Sequence, residues 1–221
     1  MKHFSAICFD MDGVLIQSRE ATEKAWMAVG HEYGVNIDIT MMNSYIHGRP
    51  GFEVISTLFK HLSPPEQHLI QEKASRIEAM YPAPLTWGVR EFIKCLKSQS
   101  IPLALVTSSD AERVGILLRA HGMESVFDAI VSRDDTPTNK PEPECYLAAA
   151  RYLNTAPEKC LVFEDSRSGM LAAIRSGAQG IGIGSDQELI QMGAKALLQD
   201  FHGLEIISIQ NHSYILKSEN F

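Results

Sequence analysis

The chain has 221 residues, 45% of them apolar, and a formal net charge of −7. That length carries one core, or a core with a small inserted domain. The acidic balance, without any Lys/Arg run, excludes the basic footprint of a nucleic-acid binder, and no apolar stretch approaches the roughly 18 residues of a membrane span. The opening Met1-Lys2-His3-Phe4-Ser5 has no apolar h-region and no cleavage site, which points to a cytoplasmic protein. Cys8, Cys95, Cys145 and Cys160 include no Cys-x-x-Cys pair and read as reduced core residues.

In chain order, the first apolar run is Phe4–Phe9, a buried strand. Residues 15–83 hold no convincing strand and carry three helical patterns instead. The first spans Ser18–Tyr33. The second holds Val54, Ile55, Leu58 and Phe59. The third comes after Ser63-Pro64-Pro65 and holds Ile70, Ala74, Ile77 and Tyr81. After this stretch, strand-like runs alternate with helices. Val89, Phe92, Ile93 and Leu96 share one helical face, and the run Pro102–Val106 comes after it. Asp110 caps a helix with Val114, Leu117 and Leu118 that stops near Gly122. The runs Ala129–Val131 and Cys160–Phe163 come next. Ser166 then caps a helix with Met170, Leu171 and Ile174 that ends at Gly177. Gly180–Ile183 is a further strand, Ala196–Leu198 a weaker one, and Glu205–Gln210 a β-like stretch without an assigned place. This alternation predicts an α/β fold, a parallel sheet flanked by helices. The helical stretch reads as an inserted all-helical cap domain of residues 15–83, and residues 1–14 plus 84–221 form the core. The connections fall near Val14–Ser18 and Pro82-Ala83-Pro84.

Open parallel sheets bind ligands beyond the carboxyl ends of their strands. The residues just past each strand therefore matter most. After the first strand comes Asp10-Met11-Asp12-Gly13; the two-residue period of a strand would set both acids on one side, facing solvent. After Val106 comes Thr107-Ser108-Ser109. After Val131 a loop leads to Lys140-Pro141-Glu142-Pro143. After Phe163 comes Glu164-Asp165-Ser166. One edge thus collects an acid pair, a hydroxyl, a cation and a second acid pair. Each has a plainer reading as a helix cap, a turn hydroxyl or a solvated lysine, but four together, in order, suit phosphoryl chemistry. Gly180-x-Gly182-x-Gly184 lacks the spacing and position of a dinucleotide fingerprint.

These four stretches resemble the motifs of the haloacid dehalogenase superfamily, in its magnesium-dependent phosphatase branch with a helical cap. Phe163-Glu164-Asp165-Ser166 and Lys140-Pro-x-Pro143 look most like the group of β-phosphoglucomutase, phosphoglycolate phosphatase and small sugar-phosphate phosphatases. The resemblance implies a Rossmann-like core and Asp10 as nucleophile, forming an aspartyl-phosphate. It implies Asp12 as general acid and then base, with Thr107 and Lys140 on the phosphoryl group. Mg²⁺ would be held by Asp10, the Asp12 backbone carbonyl and Asp165, with Glu164 in support. Oxygen-only donors suit that ion. Backbone N–H groups near Ser108 and Ser109 would complete the phosphate cradle. His47-Gly48-Arg49-Pro50 precedes a cap helix, so its side chains would hang over the site; the resemblance makes Arg49 a substrate contact, and His47 is a candidate by position alone, while Trp26, Glu23 and Met41-Met42 read as cap packing.

The implied function is hydrolysis of a small phosphate monoester, a sugar or polyol phosphate, by a monomer or weak homodimer with no nucleic-acid or membrane partner. The alternatives are a β-phosphoglucomutase-type phosphomutase and a non-catalytic phosphate-binding protein. Mutases of this group carry a cap histidine where this chain has Thr22, which favours water as phosphoryl acceptor. The halide-removing branch lacks the second acid that Asp12 supplies.

Overall fold

A computed structural model describes residues 3–78, 80–81, 83–209 and 213–217. Six strands form one parallel sheet in the order β3-β2-β1-β4-β5-β6. They are β1 (Ala6–Phe9), β2 (Leu103–Val106), β3 (Ala129–Val131), β4 (Cys160–Glu164), β5 (Gln179–Ile183) and β6 (Leu197–Leu198). The strand alternation sorts side chains by size. Ile7, Phe9, Leu103, Leu105, Leu161 and Phe163 enter one core, while Ala6, Cys8, Ala104, Val106, Cys160 and Val162 enter the other. The small-residue face lets helices lie close, and it is covered by α7 (Glu144–Tyr152) and α8 (Arg167–Arg175). The large-residue face packs against α5 (Val89–Ser98) and α6 (Ala111–Ala120).

Helices α1 (Arg19–Glu32), α2 (Ile39–Met41), α3 (Gly51–Leu58) and α4 (Pro64–Glu78) lie between β1 and α5. Among the described residues this stretch holds no strand. Its helices share a separate core in which Trp26, Val29, Val54, Ile55, Phe59 and Ile70 are buried. The Ser63 backbone N–H and hydroxyl both donate to Glu66 at 2.8 and 2.6 Å, which starts α4 just ahead of its two prolines. Helix α4 stops at Glu78, so Tyr81 lies beyond it rather than on its face. A π-helical turn, Met42–Ile46, and helix α7 were not expected from periodicity. The chain leaves and re-enters the core side by side. Gln17 N–H donates to Pro84 and Thr86 N–H to Leu15 at 2.7 and 3.0 Å. Pro82, at the expected second connection, lies outside the described residues.

The sheet strands match the apolar runs closely, with two adjustments. Phe4 precedes β1 and bridges Tyr214 instead. The β-like stretch near the end becomes β7 (Glu205–Ser208), antiparallel to β8 (Tyr214–Lys217); Gln210 lies outside the described residues. A short helix, α9 (Glu188–Gln191), precedes β6. No helix among the described residues is long and apolar enough to cross a membrane. All four cysteines are free; Cys8, Cys145 and Cys160 are buried and Cys95 is half-buried.

Phe201 anchors the segment after β6. Its ring lies 5.0 Å from Phe163, 5.6 Å from Phe92 and 5.8 Å from Phe9. Replacing Phe201 by Ala should cost about 3–5 kcal/mol, read as a lower urea midpoint with an unchanged slope. An unaltered midpoint would contradict this role.

Candidate active site

Strands β3, β2, β1 and β4 are neighbours, so the loops leaving their carboxyl ends converge at one sheet edge. Strand β1 ends at Phe9, and the two-residue alternation ends with it. Asp10 and Asp12 therefore do not stand together facing solvent as the strand period suggested. Asp10 is buried and meets Lys140, whereas Asp12 is one-third exposed and meets Arg113. Gly13 turns the chain with φ +84°. A Cβ there would come within 2.1 Å of Asp165 Oδ2, so only glycine lets the two loops close up.

Lys140 is the centre of the buried part, with a side chain only 2% exposed. Its ammonium donates to Asp10 Oδ1 at 2.5 Å, to Glu164 Oε1 at 2.6 Å and to the Val106 carbonyl at 3.3 Å. Glu164 is held on all sides. The Tyr146 hydroxyl donates to Oε1 at 2.7 Å, and the Ser166 backbone N–H and hydroxyl donate to Oε2 at 3.2 and 3.0 Å. Gly169 leaves the space for this carboxylate; a Cβ there would sit 1.8 Å from Oε1. The Ser166 hydroxyl also accepts from Gly169 N–H at 3.1 Å and so caps α8, leaving Asp165 free of that duty.

The charges do not balance. Asp10, Glu164 and Asp165 can each offer an oxygen within 4.8 Å of the others, around a single lysine. Burial pushes the Asp10 carboxyl well up; Lys140 opposes this, and Glu164 and Asp165 add to it. Burial and the neighbouring Glu164 push Asp165 up to about 8. Lys140 is driven up by its two carboxylates despite its own burial. Buried acids with raised pKa around a shared centre mark a place for a further cation. Every donor is an oxygen, which suits a hard dication such as Mg²⁺.

Thr107 is buried at the end of β2, and its Oγ1 accepts from Ser109 N–H at 3.1 Å. The Ser108 and Ser168 hydroxyls both donate to the Gly48 carbonyl, at 3.3 and 3.2 Å, tying the helical insert to the core loops. His47 is buried with Nε2 3.1 Å from Glu23 Oε1. Burial and Arg19 hold its pKa down to about 4, so it is neutral at physiological pH. Arg49 is one-third exposed and weakly paired with Glu53 at 3.7 Å. Both border the cleft above Asp10. Trp26 and Met42 pack in the core of the insert, and Glu23 pairs with Arg19 and His47.

Three residues at this cleft escaped the sequence reading. Arg113 forks onto Asp12, Arg19 Nη1 lies 3.6 Å from Asp165 Oδ2, and Glu78 borders the cleft from α4. Arg113 stands three residues after the capping Asp110, on the turn of α6 that faces the Thr107 loop. That position was the available signal, hidden behind the apolar face of the same helix.

A model of the haloacid dehalogenase-like hydrolases matches residues 4–177. A phosphorylated carbohydrates phosphatase of Thermotoga maritima is 32% identical over 91% of this chain and 97% of its own. A validoxylamine A 7'-phosphate phosphatase of Streptomyces hygroscopicus subsp. limoneus is 30% identical over 89% of this chain and 94% of its own. Among solved structures, the β-phosphoglucomutase of Clostridium difficile superposes with a TM-score of 0.78 over 91% of this chain and 93% of its own; at 22% identity it shares the fold alone. The parallel sheet, the acids and lysine gathered at its edge, and a family match across most of the sequence lead to one conclusion: the chain belongs to the haloacid dehalogenase-like hydrolases.

Proposed function

We propose that the protein is a Mg²⁺-dependent phosphatase that hydrolyses a small phosphate monoester, a sugar or polyol phosphate, through a phosphorylated Asp10. The observation that carries this reading is Asp10, buried at the end of β1 and held by Lys140 beside two further acids. Relatives named for phosphorylated carbohydrates and for a phosphorylated validoxylamine support an ester of sugar type.

In the first step a carboxylate oxygen of Asp10 attacks phosphorus in line. The new P–O bond forms as the ester P–O bond breaks, and Asp12, having taken up a proton from solvent as substrate binds, gives it to the departing alkoxide. In the second step Asp12, now ionised, takes a proton from water as that water attacks phosphorus. Inorganic phosphate leaves and Asp10 is restored. Lys140 favours the ionised form of Asp10 against the effect of burial and offers positive charge to the phosphoryl oxygens. Thr107 and the backbone N–H groups of Ser108 and Ser109 receive the remaining phosphoryl oxygens. Asp10, the Asp12 carbonyl and Asp165 would hold Mg²⁺, with Glu164 in support. When bound, the ion offsets the charge of a dianionic phosphate among carboxylates, where each like-charge pair at about 4 Å costs roughly 4 kcal/mol at an effective dielectric near 20. Residues 15–83 act as a cap that excludes water from the cleft, with Arg49 the better placed substrate contact. His47 is already engaged by Glu23. Thr22, in place of a mutase histidine, supports water as the acceptor.

The test is phosphate release from hexose, deoxyhexose and glycerol phosphates, phosphoglycolate and β-glucose 1-phosphate. Release should require Mg²⁺, stop with EDTA and vanish in Asp10→Asn, while Asp12→Asn should lose about 10²–10⁴ in rate. Normal turnover by Asp10→Asn would overturn the mechanism. Conversion of β-glucose 1-phosphate to the 6-phosphate without phosphate release would favour a mutase.

Asp165 also gives a stability prediction. In the metal-free protein its proton is retained up to about pH 8, whereas the unfolded chain releases it near an ordinary carboxylate value of about 4. The folded state therefore binds more protons between these values, and stability falls as pH rises. The contribution is full below about pH 4 and is lost as pH passes about 8. Saturating Mg²⁺ should offset the loss. Thermal midpoints between about pH 5 and about pH 9, with and without Mg²⁺, check this; midpoints unmoved by either variable would contradict it.

A further inference from the structure

Asp12 is gripped by an arginine that the mechanism above does not use. Arg113 Nη1 donates to Asp12 Oδ2 at 2.6 Å and Nη2 to Oδ1 at 2.7 Å, so the guanidinium occupies both carboxylate oxygens. Nη1 also donates to the Ser109 hydroxyl at 2.5 Å, and that hydroxyl donates to Asp12 Oδ2 at 3.2 Å. The arginine is fixed at its base, because Asp110 accepts from its backbone N–H at 2.9 Å and caps α6. A parallel fork of this kind sets the plane of a carboxylate as well as its charge, which a lysine does not do.

Glu78, at the end of α4 in the helical insert, borders the cleft that Arg113 and Asp12 also line. It is half-buried at the same cleft. Burial pushes its carboxyl up while the Arg113 charge holds it down; Asp12 raises it and a hydrogen bond with Thr22 lowers it. The guanidinium of Arg113 thus serves one carboxylate from the core and feels another from the insert.

A carboxylate with both oxygens in a fork cannot present one of them, with a proton, to a leaving alkoxide. Some part of the fork must open for Asp12 to act. We propose that Arg113 is a positioning residue for Asp12, shared with Glu78 of the helical insert, so that the seating of the insert sets how Asp12 is presented to the leaving group. This rests on the phosphatase reading. With the cleft empty, the fork parks Asp12 in one orientation. As the insert settles over a substrate, Glu78 draws on the guanidinium and frees an Asp12 oxygen, while the Ser109 hydroxyl keeps hold of the other.

The test compares kcat/KM for an alkyl ester, glycerol phosphate, with kcat/KM for an aryl ester, p-nitrophenyl phosphate. This ratio reports steps up to departure of the leaving group, and p-nitrophenolate departs without a proton while an alkoxide does not. Arg113→Met should lower the alkyl-to-aryl ratio by about tenfold or more, and Arg113→Lys, which keeps charge without the fork, should fall between it and wild type. Glu78→Gln should lower the ratio in the same direction by about threefold. A merely structural role would lower both esters together, so an Arg113→Met ratio equal to wild type overturns the assignment. An unchanged ratio in Glu78→Gln overturns the sharing. Wild-type protein that turns over neither ester overturns the phosphatase reading itself, and this inference with it.

Discussion

The structure depends on one buried ammonium. Lys140 reaches from the loop after β3 to the ends of β1 and β4, contacting Asp10, Glu164 and the Val106 carbonyl at the end of β2. Three adjacent strands therefore terminate on a single charge. Removing that charge would leave two buried carboxylates facing each other without a counter-charge, a defect that costs far more than the pair contributes when intact. The rest of the site is arranged to keep this contact satisfied. Tyr146 and Ser166 saturate Glu164, and Gly169 makes room for it.

The same contact divides the acids into two environments. Asp10 and Asp165 are buried in an excess of negative charge, which raises both. Asp12 is desolvated as well, yet the Arg113 charge and fork, with help from Ser109, hold it below the usual carboxylate range. In the empty site these directions are the reverse of those a nucleophile and a general acid need, so the proposed transfer calls for a cation to lower Asp10 and for the Arg113 fork to open before Asp12 takes up a proton. The helical insert adds its own charges above them, Arg49 and Glu78 among them, and is tied to the core through the Gly48 carbonyl.

The sheet was legible because each central strand is buried on both faces and reads as an unbroken apolar run. The sequence order of the four chemical stretches was legible for a related reason: strand ends carry the polar residues that the interior rejects. What escaped depends on contacts between distant residues. Helix α7 is rich in alanine and lies on the small-residue face, so it shows no contrast of large apolar and polar positions. The partner of β7 lies past a segment without strand signals. The side-by-side placement of Asp10 and Asp12 failed because β1 stops at Phe9 and Gly13 turns the backbone, sending the two carboxylates to Lys140 and Arg113. Arg113 itself lies about a hundred residues from Asp12, and helical periodicity marks only the apolar face of α6.

The proposed hydrolysis passes through a covalent phosphoryl group on Asp10. The direct measurement is mass spectrometry of the protein quenched in acid during turnover of a sugar phosphate with Mg²⁺, with peptides mapped across the first strand. A phosphoryl adduct on Asp10 that disappears when substrate is exhausted is the predicted result. Full turnover with Asp10 unmodified at every quench time would contradict this mechanism and require direct attack of water on the ester.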